Sequence, residues 1–358
     1  MNNSFLLVAV HSGPYLSIEP LEAALPGGKA TFLVEGISKQ TRANDNLPYL
    51  DMNKVEERWG HLNQFMEQTG VTAVICSTSE NVTDIDVENL ASSTASRMGI
   101  PVFVVEDFSG NYRDSCQLRL DGLFVEDQYT ADIHSARGID PAAVFATGNP
   151  RYSGLKDVDS KSRRLHTRAA LGLTDESVML WAGQPDDRNS FLALERVLGR
   201  CRALKATLLF RAHPRDPLYV SGEYRSLLDS NGLRTIDVTS YPDNWGLYCA
   251  ADLLVTQFSS AGVEASHLGT PALFVLFDDI GKQYLREHKG YETLPWCDGS
   301  SSFLIEHGDD VSDMINDALF NSESRSEVVK SFQNQFGVSE DCPKTIVGHI
   351  FELVGETV

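Results

Sequence analysis

The sequence predicts an α/β protein built from two doubly wound parallel-sheet domains in series, and three observations carry that expectation. Short β-branched apolar runs alternate with amphipathic stretches of helical length over most of the chain, the pattern of βαβ units feeding a parallel sheet. Eleven such runs exceed what one open sheet comfortably holds. The 358 residues also correspond to roughly two domains at about 150 residues each.

The elements follow in order. In the first half, strands are expected at 5–10, 30–34, 71–76, 102–106, 122–125 and 144–147, with helices near 53–69, 86–98 and 128–137 and a helix-like SIEPLEAAL after the first run. The run at 5–10 is too short for a membrane span. No Lys or Arg precedes it, so it reads as a buried strand and not as a signal peptide. A domain break is expected within 154–176, which is polar, then helical, then closed by Gly172, giving domains 1–160 and 161–340. Lys161, Arg163, Arg164 and Arg168 in that stretch read as the solvated face of a linking helix, with anion binding as the alternative. In the second half, strands are expected at 178–182, 207–211, 235–238, 253–256 and 272–276, with helices near 188–204, 220–231, 243–250 and 260–268. Helical patterns near 309–320, 323–335 and 343–354 follow without a further strand, and a terminal helix at 341–356 is expected to fold back over the first domain.

An apolar fraction of 42% excludes a disordered tail or a miniature disulfide scaffold. Thirty basic against fifty acidic side chains leave a formal charge of −20, which repels nucleic-acid backbones and anionic lipid surfaces. A bound nucleotide stays compatible with that charge, because a few backbone N–H groups and one or two cations hold a small anion. The six cysteines, Cys76, Cys116, Cys201, Cys249, Cys297 and Cys342, form no Cys-x-x-Cys pair and no zinc-ligand spacing. Reduced thiols in a cytoplasmic protein are expected, where the sequons at Asn2 and Asn81 carry no glycan.

In open α/β sheets ligands bind beyond the carboxyl ends of the strands, so the residues just after each apolar run are the candidates. After the first run comes the small-residue turn His11-Ser12-Gly13-Pro14, in which His11 is a turn residue or a catalytic group with equal weight. Glu19 follows on the next helical segment as a candidate acid. Glu106 and Asp107 end the fourth run and offer a general base, with a cap or turn role the simpler account of Glu106. Gly148-Asn149-Pro150-Arg151 is a compact turn with one cation, suited to closing the domain or to contacting phosphate.

Gly183-Gln184-Pro185 opens the second half's strand ends. Arg211, His213 and Arg215 then gather positive charge at one strand end, where clustered cations repel one another unless an anion meets them. Ser259 and Ser260 start a helix that carries Gly262 and Glu264; helix capping accounts for one serine, and a phosphate cradle competes for the pair. Glu264 is placed to accept from ribose hydroxyls or to be an ordinary solvated acid. The sequence lacks GxxxxGK[ST], strand–GxGxxG–helix, GxSxG and HExxH patterns, which removes P-loop NTPases, dinucleotide oxidoreductases, α/β-hydrolases and zincins from the leading positions.

The segments FATGNPRYSGL (145–155), LGLTDESVMLWAGQP (171–185), LLFRAHPRD (208–216) and ADLLVTQFSSAGVEASHLGTPALFV (251–275), in that order, resemble the GT-B glycosyltransferase superfamily. The nearest branch holds UDP-N-acetylglucosamine 2-epimerases, CDP-glycerol glycerophosphotransferases and related bacterial polysaccharide enzymes. The stretch 99–150 continues the same order, so the resemblance covers about 100–275.

The resemblance implies two Rossmann-like domains facing one another across a cleft. It places the nucleotide of an activated donor on the C-terminal domain, at Arg211, His213, Arg215, Ser259, Ser260 and Glu264 with Gly183 and Gln184 at the edge. It assigns acceptor recognition and catalysis to the N-terminal domain, with His11, Asp107 and Glu19 as candidates. The activity implied is metal-independent, cofactor-free transfer of a sugar from a nucleotide-sugar to an acceptor hydroxyl or amine, in bacterial glycan or glycoconjugate synthesis. Partners would be that donor and a small-molecule or glycan acceptor, without nucleic acid or an integral membrane segment; a homodimer fits the same reading. Alternatives are a nucleotide-sugar hydrolase or 2-epimerase on the same fold, and a non-catalytic nucleotide- or sugar-binding member. The single acid of SSAGVEA, where the epimerase branch carries a pair, argues against epimerisation. Nothing in the first 70 residues matches a known pattern, and they would decide the acceptor.

Overall fold

The first apolar run forms a strand with nearly every residue buried, and the rest of the amino-terminal unit is layered on it. The computed structural model describes residues 4–25, 30–51, 58–78, 87–113, 120–185, 188–201, 204–213, 215–308, 311–337 and 341–355. Asn2, Asn81, Cys116 and Pro214, and the outer ends of the helices expected near 53–69, 86–98, 188–204, 309–320 and 341–356, lie outside the described residues. The chain divides into two units, Met1–Gly154 together with Ser339–Val358, and Leu155–Val338.

Unit 1 runs β1 (Ser4–Ala9), α1 (Ser12–Ala24), β2 (Ala30–Val34), α2 (Gly36–Asn44), α3 (Arg58–Thr69), β3 (Val71–Ser77), α4 (Val87–Met98), β4 (Val102–Val105), β5 (Gly122–Val125), α5 (Gln128–Ala136) and β6 (Val144–Ala146). Its six strands are parallel in the order β2-β1-β3-β4-β5-β6. Side chains alternate across a strand, so β1 feeds two cores: Phe5, Leu7 and Ala9 pack on one face, Leu6 and Val8 on the other.

Unit 2 runs α6 (Ser160–Ala170), β7 (Ser177–Ala182), α7 (Asn189–Arg200), β8 (Ala206–Arg211), α8 (Pro217–Ser221), α9 (Tyr224–Ser230), β9 (Arg234–Asp237), α10 (Asn244–Ala250), β10 (Leu253–Thr256), α11 (Ser260–His267), β11 (Ala272–Val275), α12 (Gly281–His288), β12 (Phe303–Ile305), α13 (Val311–Phe320) and α14 (Ser322–Phe336). Its strands are also parallel, in the order β12-β11-β10-β7-β8-β9. The last helix, α15 (Cys342–Leu353), belongs to unit 1, where Ile346, Val347, Ile350 and Phe351 join the Phe5 face and the Phe5 and Phe351 rings meet edge-on at 5.6 Å.

Several local outcomes differ from the sequence expectation. The helix expected over 220–231 is two helices, because Gly222 takes a left-handed φ of +82° and ends α8. Helices α2 and α12 and the strand β12 were not anticipated; α2 is largely polar, and β12 is a three-residue edge strand whose Ser-rich flanks carry no periodic signal. Of the basic cluster, Lys161 is exposed as expected, whereas the three arginines are held by partners and do not form a solvated face. Arg163 pairs with Asp243 at 2.7 Å. Arg164 donates to the carbonyls of Cys249, Ala250 and Ala251, closing the carboxyl end of α10, and Arg168 is buried with bonds to Thr174 O, Glu176 O and Ala250 O. Cys76, Cys201, Cys249, Cys297 and Cys342 are buried free thiols. Among the described residues no helix is long and apolar enough to cross a membrane.

Gly262 has a packing reason. A Cβ there would stand 2.6 Å from the Phe274 ring, so only glycine lets α11 lie this close to β11. Gly262→Ala should cost about 1–3 kcal/mol by overpacking, read as a lowered urea midpoint. Combined with Phe274→Leu, the loss should be smaller than the sum of the two single losses, because the smaller side chain makes room; strict additivity would contradict this contact.

Candidate functional site

In unit 1 the strand order reverses between β1 and β3, the position at which open α/β sheets bind their ligands, beyond the carboxyl ends of the strands. Three strand ends converge on it. The half-buried His11 caps the start of α1, its carbonyl accepting from Tyr15 N–H and from Ser38 Oγ at 2.9 Å each. Asp107, past β4, reaches across β3: Thr78 Oγ1 donates to its Oδ1 at 2.6 Å, as does Asn111 Nδ2 at 2.9 Å. Its Oδ2 lies 2.9 Å from where a Gly13 side chain would begin, so Gly13 is the residue that admits the carboxylate to the turn after β1. His11, Gly13 and Asp107 are thereby one group. Glu19 is not part of it. It lies six residues beyond Gly13 on α1, about 9 Å along the axis, where burial and the neighbouring Glu22 raise its pKa against the opposing pull of Arg42.

The carboxylate of Glu106 is structural: its Oε1 accepts from Tyr112 N–H at 2.7 Å and lies 2.8 Å from His134 Nε2, with both side chains buried. Asn149 braces the same peptide, with Nδ2 3.4 Å from Glu106 O and 3.2 Å from Asp107 O. The Gly148–Arg151 turn thus holds the Asp107 loop in place. Neither His134 nor this role of Asn149 was legible in the sequence, since both act through partners more than 25 residues away.

At the end of β5, burial and the adjacent Asp127 push the carboxyl of the partly buried Glu126 up from 4.5 to about 8, with Arg151 opposing. Burial raises Asp127 as well, against its hydrogen bonds from Thr130.

In unit 2 the order reverses between β7 and β10, the arrangement of dinucleotide-binding sheets. Gln184 bridges these two strand ends: its Oε1 accepts from Phe258 N–H at 2.9 Å, and its own N–H donates to Ser190 Oγ at 3.1 Å. Gly183 is wedged against Arg211 O, where a Cβ would come within 3.3 Å. Beyond β8, Arg211 is engaged by Asn244 Oδ1, and His213 Nδ1 accepts from Arg215 N–H at 3.1 Å, which leaves the ring proton of a neutral His213 on Nε2. Arg215 is exposed, and its guanidinium has no partner among the described residues.

Ser259 caps α11, its Oγ accepting from Ala261 N–H at 3.2 Å, while Ser260 is the first residue of the helix and half-buried. Glu264 is buried and accepts from Trp245 Nε1 at 3.1 Å, so it is not a solvated acid. The half-buried Trp245 and the exposed Asn244, at the start of α10, are site neighbours that the sequence reading missed; only the packing of α10 beside α11 identifies them. Gln257, at the end of β10, is buried with both amide atoms unpaired.

Two Rossmann-like units, each with its polar groups gathered past the strand ends, define the GT-B class of fold. Residues 107–341 match the CDP-Glycerol:Poly(glycerophosphate) glycerophosphotransferase family, and the chain belongs to that family. No curated protein sequence matches it. Among solved structures it is similar to a UDP-GlcNAc 2-epimerase from Neisseria meningitidis bound to UDP-GlcNAc (13% identity, 98% of this chain and 100% of the other, TM-score 0.70). It is likewise similar to a glycosyltransferase from Rickettsia africae (10% identity, 99% and 100%, TM-score 0.70). A third likeness is to Anabaena HepE in complex with UDP and glucose (12% identity, 98% and 99%, TM-score 0.71). The fold is therefore GT-B, and these structural neighbours include enzymes of nucleotide sugars.

The raised carboxyl of Glu126 has a measurable consequence. Between pH 4.5 and about 8 the folded protein keeps a proton that the unfolded chain has released, so this group's contribution to stability falls as pH rises through that window. Glu126→Gln, which cannot ionise, should flatten the decline of Tm between pH 5 and pH 8. An unchanged slope would remove Glu126 as its source.

Proposed function

We propose that the chain is a transferase that passes a sugar from a nucleotide-sugar to an acceptor hydroxyl or amine. The observation that carries this reading is the gathering of Arg215, His213 and the α11 start at Ser259 and Ser260 at the carboxyl ends of the unit 2 strands. As the acceptor attacks the anomeric carbon, the bond from that carbon to the diphosphate oxygen breaks and its electron pair stays on the nucleoside diphosphate. An unpaired guanidinium, an imidazole N–H and a helix start are donors suited to that growing charge without a metal ion. The half-buried indole of Trp245 offers a face for the base, and Glu264 an acceptor for ribose hydroxyls. Asp107 has the role of general base, its Oδ1 held by two donors, with His11 in the adjoining turn. Glu19 takes no part.

The family match favours a second reading, in which the acceptor oxygen attacks phosphorus of a CDP-activated glycerophosphate and CMP leaves. The products separate the two. Incubating the protein with UDP-, CDP- and dTDP-sugars and with CDP-glycerol, each with candidate acceptors, should release a nucleoside diphosphate; CMP release would establish the second reading. Conversion of the donor without acceptor would identify a hydrolase or epimerase instead.

Arg215→Ala and His213→Ala should each lower turnover by roughly 10²–10³ fold at unchanged Tm. Asp107→Asn should abolish turnover while leaving nucleotide binding, followed by quenching of Trp245 fluorescence, intact. Near-wild-type turnover in both unit 2 variants would sink the donor-site assignment.

A further inference from the structure

Unit 2 carries a second concave surface at the opposite edge of its sheet. Asp252 directly precedes β10, and Thr270 and Pro271 precede β11, so the cavity they line, of about 520 Å³, lies a strand's length from the Ser259 end. That volume falls within the range of small-molecule sites.

Its charge runs against the rest of the chain. Four cations, Lys161, Arg164, Arg325 and Lys330, line it with one acid, Asp252, a local excess of +4 − 1 = +3 in a chain of net charge −20. Asp252 is already committed: Oδ1 accepts from Arg164 Nη2 at 2.6 Å, Oδ2 accepts from Val178 N–H at 2.8 Å, and Arg325 lies 3.8 Å away. Lys161 and Lys330 are exposed, and neither ammonium has an ionic partner among the described residues.

Helix polarity adds to the excess. Lys161 lies in the first turn of α6 and Arg325 in the first turn of α14, at the positive ends of both helix dipoles, which Asp159 at the α6 cap and Glu323 in α14 partly offset. Ser160 and Ser322, the first residues of those helices, line the same cavity.

We propose that this cavity is a second anion site, distinct from the donor site, that binds a small ligand with two or more closely spaced phosphate groups. Two exposed ammonium groups, Lys161 and Lys330, backed by the charge of Arg164 and Arg325, suit a diphosphate better than a single orthophosphate, and the concave shape favours a soluble ligand over a lipid headgroup. The proposal stands independently of the reaction assigned to the chain.

The test titrates inorganic pyrophosphate calorimetrically into the wild type, Lys161→Ala/Lys330→Ala and Arg215→Ala, with orthophosphate and phosphatidylglycerol vesicles as further probes. Both lysines are exposed and unpaired, so the double variant should keep the wild-type Tm. Expected is a pyrophosphate site in the wild type that weakens at least tenfold in the double variant, persists in Arg215→Ala, and outcompetes orthophosphate. UDP and CDP binding should be the same in the wild type and the double variant. Absence of pyrophosphate binding in the wild type, equal affinity in the double variant, or loss in Arg215→Ala alone would overturn the proposal. Lysine-dependent binding to vesicles without binding to pyrophosphate would overturn the soluble ligand in favour of a headgroup.

Discussion

The constraint on which the structure depends is that an all-parallel sheet must be covered on both faces. Each crossover between parallel strands carries a helix to one face or the other, so the chain has to wind outward in two directions from a starting strand. In β1 this is visible residue by residue, with Phe5 and Leu7 serving one core and Leu6 and Val8 the other. In unit 2 the reversal falls between β7 and β10. Connections leave those two strands in opposite directions, and Gln184 bridges their carboxyl ends. The polar groups of each unit collect at such ends because the rest of the strand is committed to apolar burial.

Polar side chains at these strand ends are held mostly by one another and by backbone. Burying Glu106 against His134 carries a desolvation penalty, and the return is positional: the same carboxylate accepts from Tyr112 N–H and so shapes the loop that begins with Asp107. Asn149 fixes that loop from the β6 side. Gln184 does comparable work in unit 2, tying the end of β7 to the backbone after β10. Such bracing holds the Asp107 loop and the ends of β7 and β10 in place.

Arginines divide by what surrounds them. Arg164 and Arg168 spend donors on carbonyls at the end of α10 and before β7. Arg211 is engaged by Asn244, whereas Arg215 keeps its donors free among the described residues. The two arginines of the RAHPRD segment look alike as residues, and the neighbours each one meets separate them.

Hydrophobic periodicity alone determined the two parallel-sheet units and eleven of the strands, because strand burial follows from local apolar content and the crossover pattern from the spacing of runs. The strand-end rule likewise picked out Asp107, His213, Arg215 and Ser259 without any coordinate. Only the tertiary structure decided which of these meet: Asp107 joins the His11–Gly13 turn, while Glu19, near in sequence, is carried two turns away by helical rise. It also supplied Trp245, His134 and the α6–α14 cavity, and turned Gly262 from a cradle residue into a packing requirement against Phe274. These features rest on contacts between residues distant along the chain. Local composition carries no record of them, because a side chain's environment is set by the elements packed against it and not by its sequence neighbours.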